Sequence, residues 1–429
     1  GANISDYLGK TTVNNRNSLI KWQYDPISMS LISGINNPML DDLLRMSGND
    51  QALFNADNTG GALNLALMIS EMTDPVEQQK VIDSLKPNIQ VSADATANIT
   101  ASVSGALSAR MDNISMDNFA VDTTGVITPF GGAVGGQNNA QIASGDDSRN
   151  IPMGAWVSGF GGVANQSKLT NLPGSKSKVF GSSLGFDAKF SDKLIGGIAA
   201  TYADVKMNTT TGFTSNSKAP SWRLSLYGIY NLDASWFTRG ILSYGQSDIT
   251  TATPRAISGV SLGTAVGKYK SQSMASEFTV GYRHVMMQKW LVSPTVGLTY
   301  DASKDTGYSE TGGGITNKIV KAKTYNKLSG VLGLSVATIT KINGLLVTPE
   351  VHASMSQILS ARNPMTVSKY IDGSAMFDPK EYKLPKTAYN IGCGVNVNHG
   401  AMNFGIGYDL RMSKKYISNQ GYVKMKVNF

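Results

Sequence analysis

The chain ends with the nine residues Gly421-Tyr-Val-Lys-Met-Lys-Val-Asn-Phe429. In an extended strand, alternate residues of this stretch share one face and are apolar: Val423, Met425, Val427 and Phe429. The residues between them are polar: Lys424, Lys426 and Asn428. Two environments suit such a strand: the edge of a soluble sheet, or the wall of a membrane barrel whose apolar face meets lipid.

The same two-residue period runs through the chain from about residue 153. In the strand near 401–412, Met402, Phe404 and Ile406 alternate with Asn403 and Gly405. The pattern predicts about twelve strands, near 153–164, 178–190, 193–207, 219–232, 235–247, 269–286, 289–302, 322–340, 345–357, 384–398, 401–412 and 416–429. A soluble sandwich would bury the apolar face in its core, so the period alone leaves sandwich and barrel open.

The connections between these strands favour the barrel. Short turns, such as 191–193 and 399–400, alternate with long loops. The long loops are 165–177, 208–218, 248–268, 303–321 and 358–383. This alternation, with aromatic residues near strand ends, is typical of an up-and-down outer-membrane barrel. We therefore predict an all-β transmembrane barrel of about 12 antiparallel strands over residues 151–429, with both barrel ends on the short-turn, periplasmic side.

Composition excludes several other classes. Mean hydropathy is −0.13, and no run of about 18 apolar residues marks a transmembrane helix. A single cysteine, Cys393, rules out an intramolecular disulfide. The net charge is +8, but no basic run interleaved with aromatics indicates a nucleic-acid partner. Gly1-Ala-Asn-Ile is not a signal peptide, so we expect the numbering to begin within a longer precursor.

The residues before the barrel divide into two predicted segments. Residues 1–73 are expected to be helical and irregular, with helices at 38–45 and 62–72. In the linker 74–150, Asp74 and Pro75 predict the start of a helix that continues to residue 85. The Gly-rich stretch 122–150 is expected to form a loop.

A segment of small and polar residues, 90–112, lies between that helix and the loop. As a helix it would span roughly 35 Å, close to the ~30 Å hydrocarbon thickness. We expect this slim helix to thread the barrel lumen, although a disordered linker is the alternative. Its candidate pore-helix residues are Ala97, Ala101, Val103, Gly105, Leu107 and Arg110.

The polar faces of the strands predict the lining of the lumen. Its candidate residues each lie opposite an apolar, lipid-facing set: Arg223, Arg239, Glu277, Arg283, Glu350, His352, Asp409 and Arg411. Glu350 and His352 share one face and could also form an acid–base pair. No nucleophile pattern accompanies them, the three histidines show no metal spacing, and no cofactor motif is found, so we expect neither an enzyme nor a metal or cofactor site.

The order of these features resembles the translocator domain of type V autotransporters. It comprises a helical junction, a thin helix, a Gly-rich loop, the first-strand sequence Trp156-Val-Ser-Gly-Phe-Gly-Gly162, about twelve strands and Phe429. The junction Asp74-Pro-Val-Glu-Gln-Gln79 is most similar to the surface-antigen autotransporters of intracellular bacteria. Two features depart from the family: Gly421 occupies a position that is often aromatic, and the Asn-Asn pairs lie outside the thin helix, so self-cleavage in the pore is not supported.

The resemblance implies an integral outer-membrane barrel that anchors an N-terminal passenger and mediates its export to the cell surface. It also implies that residues 1–73 form the C-terminal end of that passenger or the junction to the barrel. Implied partners are outer-membrane lipid and lipopolysaccharide, the barrel-assembly machinery with periplasmic chaperones, and the passenger. It also implies an assembly signal in the last strand, at Val423, Met425, Val427 and Phe429. A passive porin and an adhesin acting through its long loops remain the alternatives.

Overall fold

The computed structural model describes residues 153–168, 174–211, 213–257, 259–362, 367–371 and 385–429. Before residue 153 it describes 20–25, 30–35, 69, 72–74, 76–77, 80–81, 85, 96–97, 99–108, 111, 119–121 and 127–129. The predicted helix at 38–45 and most of the predicted loop 122–150 lie outside these residues.

Twelve long strands form one sheet. They are β1 (Met153–Gln166), β2 (Gly174–Lys189), β3 (Leu194–Thr211), β4 (Phe213–Asn231), β5 (Trp236–Ile257), β6 (Val260–Tyr282), β7 (Trp290–Asp305), β8 (Lys323–Ala337), β9 (Leu345–Arg362), β10 (Thr387–His399), β11 (Met402–Ser413) and β12 (Tyr416–Asn428). Each strand pairs antiparallel with the next along the chain.

The sheet closes on itself because β12 also pairs with β1, from Tyr416 opposite Gln166 to Asn428 opposite Gly154. Beyond that register, the Phe429 amide donates to the Met153 carbonyl at 3.0 Å, and the Met153 amide donates to the Phe429 carbonyl at 3.1 Å. Closure pairs the backbone groups that an open edge would leave unpaired in lipid, where each costs several kcal/mol. The predicted twelve-stranded up-and-down barrel is confirmed.

The two faces of the wall follow the predicted alternation. On β4, Trp222 and Leu224 point outward and are exposed, whereas Arg223 between them is 3% exposed. Outward aromatic rings contact each other at two levels of the wall. Trp222 packs edge-on against Tyr244, and the ring centroids of Trp236 and Tyr282 are 5.0 Å apart. Tyr244 and Trp236 are eight residues apart on β5, so the levels are separated by roughly 26 Å of strand. This spacing matches the aromatic girdles that border the lipid-facing band of a barrel.

Two predicted loops are instead strand. The described residues 208–211, 213–218, 248–257 and 260–268 extend the β3–β4 and β5–β6 hairpins beyond the aromatic level. Their sequences are rich in serine and threonine on both faces. The apolar period therefore stops where lipid stops, although the hydrogen-bond ladder continues.

Smaller elements complete the described parts. Paired strands Ile20–Asp25 and Ser30–Ile35, in a region with no predicted period, were not anticipated from the sequence. Phe119–Val121 pairs with Ile127–Pro129. At the long-loop end, Tyr308–Ser309, Lys318–Val320 and Ser368–Tyr370 form a three-stranded sheet beside the 3-10 turn Gly314–Thr316.

Two further short strands lie at the short-turn end: His284–Met286, paired with β7, and Thr340–Ile342, paired with β9. Within the described part of the chain, no helix has the length and apolar character needed to cross a membrane.

Candidate functional site

A helix lies inside the barrel. Residues 96–97, 99–108 and 111 are helical, and four apolar side chains spaced four residues apart lie along one face: Ile99, Val103, Leu107 and Met111. Each is at most 2% exposed, and they belong to the same buried cluster as inward-facing side chains of β1–β6, among them Phe160 and Phe237. The helix therefore packs on one half of the barrel wall.

The sequence predicted a slim helix of small and polar residues in a polar lumen, and this packing shows that one face of the helix and one half of the lumen are instead apolar. The four-residue spacing concentrates the few large side chains of the segment into a single stripe. The inward faces of β3–β5 supply the matching surface with additional apolar residues: Val205, Met207, Ile229, Ile241 and Ile249. In the sequence, these residues interrupt the alternation by placing apolar side chains on the face predicted to be polar.

The opposite face of the helix is small and polar. Its residues line a cavity of about 440 Å³, whose other walls come from β5–β12, from Gln166 at the end of β1, and from Pro385 and Lys386 just before β10. The helix residues that line it are Ala97, Thr100, Ala101, Ser104, Gly105 and Ser108. A Cβ placed on Gly105 would meet only the Asp409 carboxylate, at 3.9 Å. The helix thus lies off-centre and leaves this cavity between its small polar face and the opposite wall.

Six of the eight predicted lumen residues line this cavity together: Arg239, Glu277, Glu350, His352, Asp409 and Arg411. The other two point inward elsewhere along the wall. Arg223 donates to Ser273 Oγ at 3.1 Å, and Arg283 donates to Asn231 Oδ1 at 3.0 Å while its guanidinium lies 4.0 Å from the centroid of the Phe237 ring. Cation–π and hydrogen-bond contacts offset part of the cost of burying these charges.

His352 forms the centre of a polar group on neighbouring strands. Its Nε2 is 2.8 Å from Asp409 Oδ1, and its Nδ1 is 3.8 Å from Glu350 Oε1. Asn390 donates to the same Asp409 oxygen at 3.1 Å. The described residues contain no cluster of three or more His, Cys, Asp or Glu side chains that could hold a metal ion.

Other lumen pairs were absent from the sequence prediction. Lys327 Nζ is 3.1 Å from Asp301 Oδ2 between β7 and β8, and Lys426 Nζ is 3.8 Å from Asp187 Oδ1. The Trp156 indole donates to the Tyr227 hydroxyl at 2.7 Å, and this hydroxyl donates to Asp187 at 3.0 Å. Asp301 and Lys327 are directly opposite each other on the adjacent strands β7 and β8. The register of these two strands would therefore have predicted that pair.

The chain on either side of the helix is held at opposite ends of the barrel. Leu85 belongs to a buried cluster with Ile257 at the long-loop end. Ile127 packs with Leu291 near the short turns, and its amide donates to the Gln288 carbonyl at 2.7 Å. Between residues 85 and 127 the chain therefore passes through the barrel from the long-loop end to the short-turn end.

The remaining predicted site residues lie apart from the cavity. On β12, Val423, Met425 and Phe429 are exposed on the outer face, and Val427 is partly buried. Arg110, predicted for the pore helix, lies outside the described residues.

Comparison with known proteins identifies the class of this barrel. The profile of the autotransporter beta-domain matches residues 155–409. The computed structure is similar to the translocator domain of the autotransporter NalP from Neisseria meningitidis, with a TM-score of 0.54, 18% identity, and coverage of 80% of this chain and 99% of that one. At this identity the likeness establishes the fold alone.

Curated relatives extend over more of the chain. Outer membrane protein A of Rickettsia conorii is 30% identical over 98% of this chain, and outer membrane protein B of Rickettsia rickettsii is 33% identical over 72%. The chain spans about a fifth of the length of these relatives, 21% and 19% respectively. The chain belongs to the autotransporter beta-domain family, a family of translocator domains, and is an integral barrel of the bacterial outer membrane.

Proposed function

We propose that this barrel anchors a passenger that precedes residue 1, mediates its export to the cell surface, and then retains the helix at 96–111 as a plug. The observation that carries the proposal is the passage of the chain through the lumen, from the long-loop end at Leu85 to the short-turn end at Ile127. A chain in this position has its upstream part outside the cell, because short turns face the periplasm in such barrels.

The polar half of the lumen suits transit. Polar groups on β5–β12 offer hydrogen-bond partners to a passing backbone. An apolar tube would instead strip that backbone of water, at a cost of several kcal/mol per unpaired group. The predicted lumen residues Arg239, Glu277, Glu350, His352, Asp409 and Arg411 are proposed to serve this role and then to face the settled helix. We propose that the barrel itself catalyses no reaction.

Assembly into the membrane is proposed to depend on the outer stripe of β12: Val423, Met425, Val427 and Phe429. The proposed partners are outer-membrane lipid, periplasmic chaperones and the barrel-assembly machinery. In support, this stripe lies at the strand that pairs with β1 and closes the barrel.

A reporter fusion tests the export proposal directly. A short unstructured reporter peptide with a secretion signal would be placed before residue 1, and its digestion by protease added to intact cells would be measured. We expect surface exposure of the reporter. A reporter that stays in the periplasm beside a correctly inserted barrel would refute export.

Single-channel conductance separates the plug from a passive porin. Deletion of residues 96–111 should raise conductance several-fold. Deletion of the equally long stretch 131–146, the matched control, should leave it unchanged. A passive porin would show the same conductance in the wild type and in both deletion variants. The adhesin alternative has a separate test: shortening the long loops would abolish cell binding.

A further inference from the structure

The long loops of this barrel build a defined structure over its outer mouth. The β7–β8 connection folds into a hairpin that is extended by Ser368–Tyr370 from the β9–β10 connection. Beyond the end of β7, the loop forms backbone hydrogen bonds with the edge of β6. The Thr306 amide donates to the Lys270 carbonyl, and Thr311 and Val266 each donate to the other's carbonyl. These loops are therefore part of the folded wall.

Two glycines permit the hairpin to cross the end of β6. Gly263 and Gly312 have φ angles of +93° and +83°, which favour glycine. A Cβ on Gly263 would lie 2.2 Å from the Gly312 carbonyl oxygen, and a Cβ on Gly312 would lie 2.6 Å from that of Thr264. Only glycine allows so close a backbone crossing.

A buried ionic cluster lies beneath this crossing. Glu310 Oε1 is 3.6 Å from Arg255 Nη2 and 3.9 Å from Lys318 Nζ, and each of these side chains is less than a tenth exposed. Lys318 Nζ also donates to the backbone carbonyl of Leu85 at 2.9 Å. The cluster thus reaches out of the loops and binds the chain just upstream of the plug.

Apolar contacts reinforce that bond. Ile69, Val81 and Leu85 are each at most 3% exposed, and they pack with Ile257. Partly buried residues of the hairpin ends and loops complete the cluster: Phe213, Leu262, Ile315 and Tyr370. Val76 is exposed, so the segment presents one apolar face to the barrel mouth.

We propose that the outer ends of β4–β6 and the β7–β8 and β9–β10 loops form a clamp that binds the same chain at Ile69, Val81 and Leu85 and holds it against a pull from a passenger outside the cell. The mechanical role rests on the proposed export function, but binding at these three residues does not. The clamp fits a short helix that has an apolar face. The last carbonyls of a helix have no partner within it, and here Lys318 Nζ donates a hydrogen bond to the carbonyl of Leu85.

Trypsin cleavage of the Lys80–Val81 bond reports on the clamp, because Val81 is buried in it. In the whole chain with the barrel folded, this bond should resist trypsin. Ile315→Asp should accelerate its cleavage by at least about tenfold, because the introduced carboxylate cannot be buried against the apolar cluster that contains Val81. Ile319→Asp is the matched control: Ile319 lies in the same hairpin and outside the apolar cluster, and this variant should resemble the wild type.

Equal acceleration by both variants, or no acceleration by Ile315→Asp, would overturn the clamp. Barrel integrity is checked by heat-modifiable mobility in gels. If Ile315→Asp fails to fold, Gly312→Ala, which disrupts the backbone crossing, replaces it. Gly344→Ala, at a φ of +82° with open space around it, is then the control. Failure of the clamp would leave the export and conductance results unaffected, so the two proposals can be distinguished.

Discussion

The side chains of His352 and Asp409 form a hydrogen bond although strand β10 lies between their two strands. His352 lies on β9 and Asp409 on β11, both in register with Gly392 on β10, and His352 Nε2 is 2.8 Å from Asp409 Oδ1. A Cβ on Gly392 would lie 2.3 Å from this nitrogen and 2.5 Å from this oxygen. The absence of a side chain at Gly392 is therefore what permits the pair.

Gly392→Ala should break the pair and destabilise the barrel. A lost hydrogen bond to a charged group costs about 1.5–3 kcal/mol, and we expect a loss of this size in urea unfolding measured in lipid. Gly330→Ala is the control, because a Cβ there makes only ordinary contacts with Leu359. Equal stability of the two variants would show that the pair contributes nothing.

The faces of the plug helix should differ in their tolerance of charge. Val103→Asp places a carboxylate in the apolar contact with the wall, at a cost of several kcal/mol, and should displace the helix and raise single-channel conductance. Ser104→Asp points into the polar cavity and should leave conductance near that of the wild type. A similar rise in both variants would mean that the helix is not held by its apolar stripe.

Sequence reasoning predicted the barrel well because lipid imposes a strict rule. Outward positions such as Leu224 and Ile406 must be apolar at every second residue, and this rule leaves a period that is visible without a structure. Inside the barrel no such rule holds. Phe237 and Arg239 are both inward residues of β5, one packing in the apolar cluster and the other lining the cavity.

The outer clamp was beyond prediction for a related reason. The bond from Lys318 to the Leu85 carbonyl joins residues 233 positions apart. Neither end has a distinctive local pattern, since Lys318 lies in a stretch that reads as loop. The loops outside the membrane are positioned by the backbone crossing at Gly312, and a hydropathy pattern does not predict such a crossing.

Assembly should depend on Phe429 more than on another lipid-facing phenylalanine. Phe429→Ser should lower the amount of folded barrel in the outer membrane and increase its degradation in the periplasm. Phe404→Ser removes an equally outward ring from the adjacent strand β11 and is the control. The measurement is the heat-modifiable fraction in membrane preparations, and equal losses in the two variants would assign the effect to lost lipid contact alone.

The clamp should open more readily as pH falls from about 10 to 7. Burial lowers the pKa of Lys318 from 10.5 to about 7, with Glu310 opposing the shift and Arg255 adding to it. An open clamp restores the ordinary pKa, so opening takes up a proton within this window. The contribution of Lys318 to the stability of the closed clamp is fully present above about pH 10.5. It then falls by up to ~1.4 kcal/mol per pH unit down to the folded pKa of about 7, and changes no further below it.

Burial also lowers the pKa of Arg255, so the Lys318→Met variant is needed to separate protonation of Lys318 from that of Arg255. Burial raises the pKa of Tyr308 and Tyr370 well above the usual value, so both phenols stay neutral in the closed state across it. The measurement is the cleavage rate at Lys80–Val81, divided at each pH by that of an unstructured reference peptide. Lys318→Met should abolish the slope, whereas Lys321→Met, at an exposed lysine of the same loop, should keep it. A slope that survives Lys318→Met would assign the proton to another group.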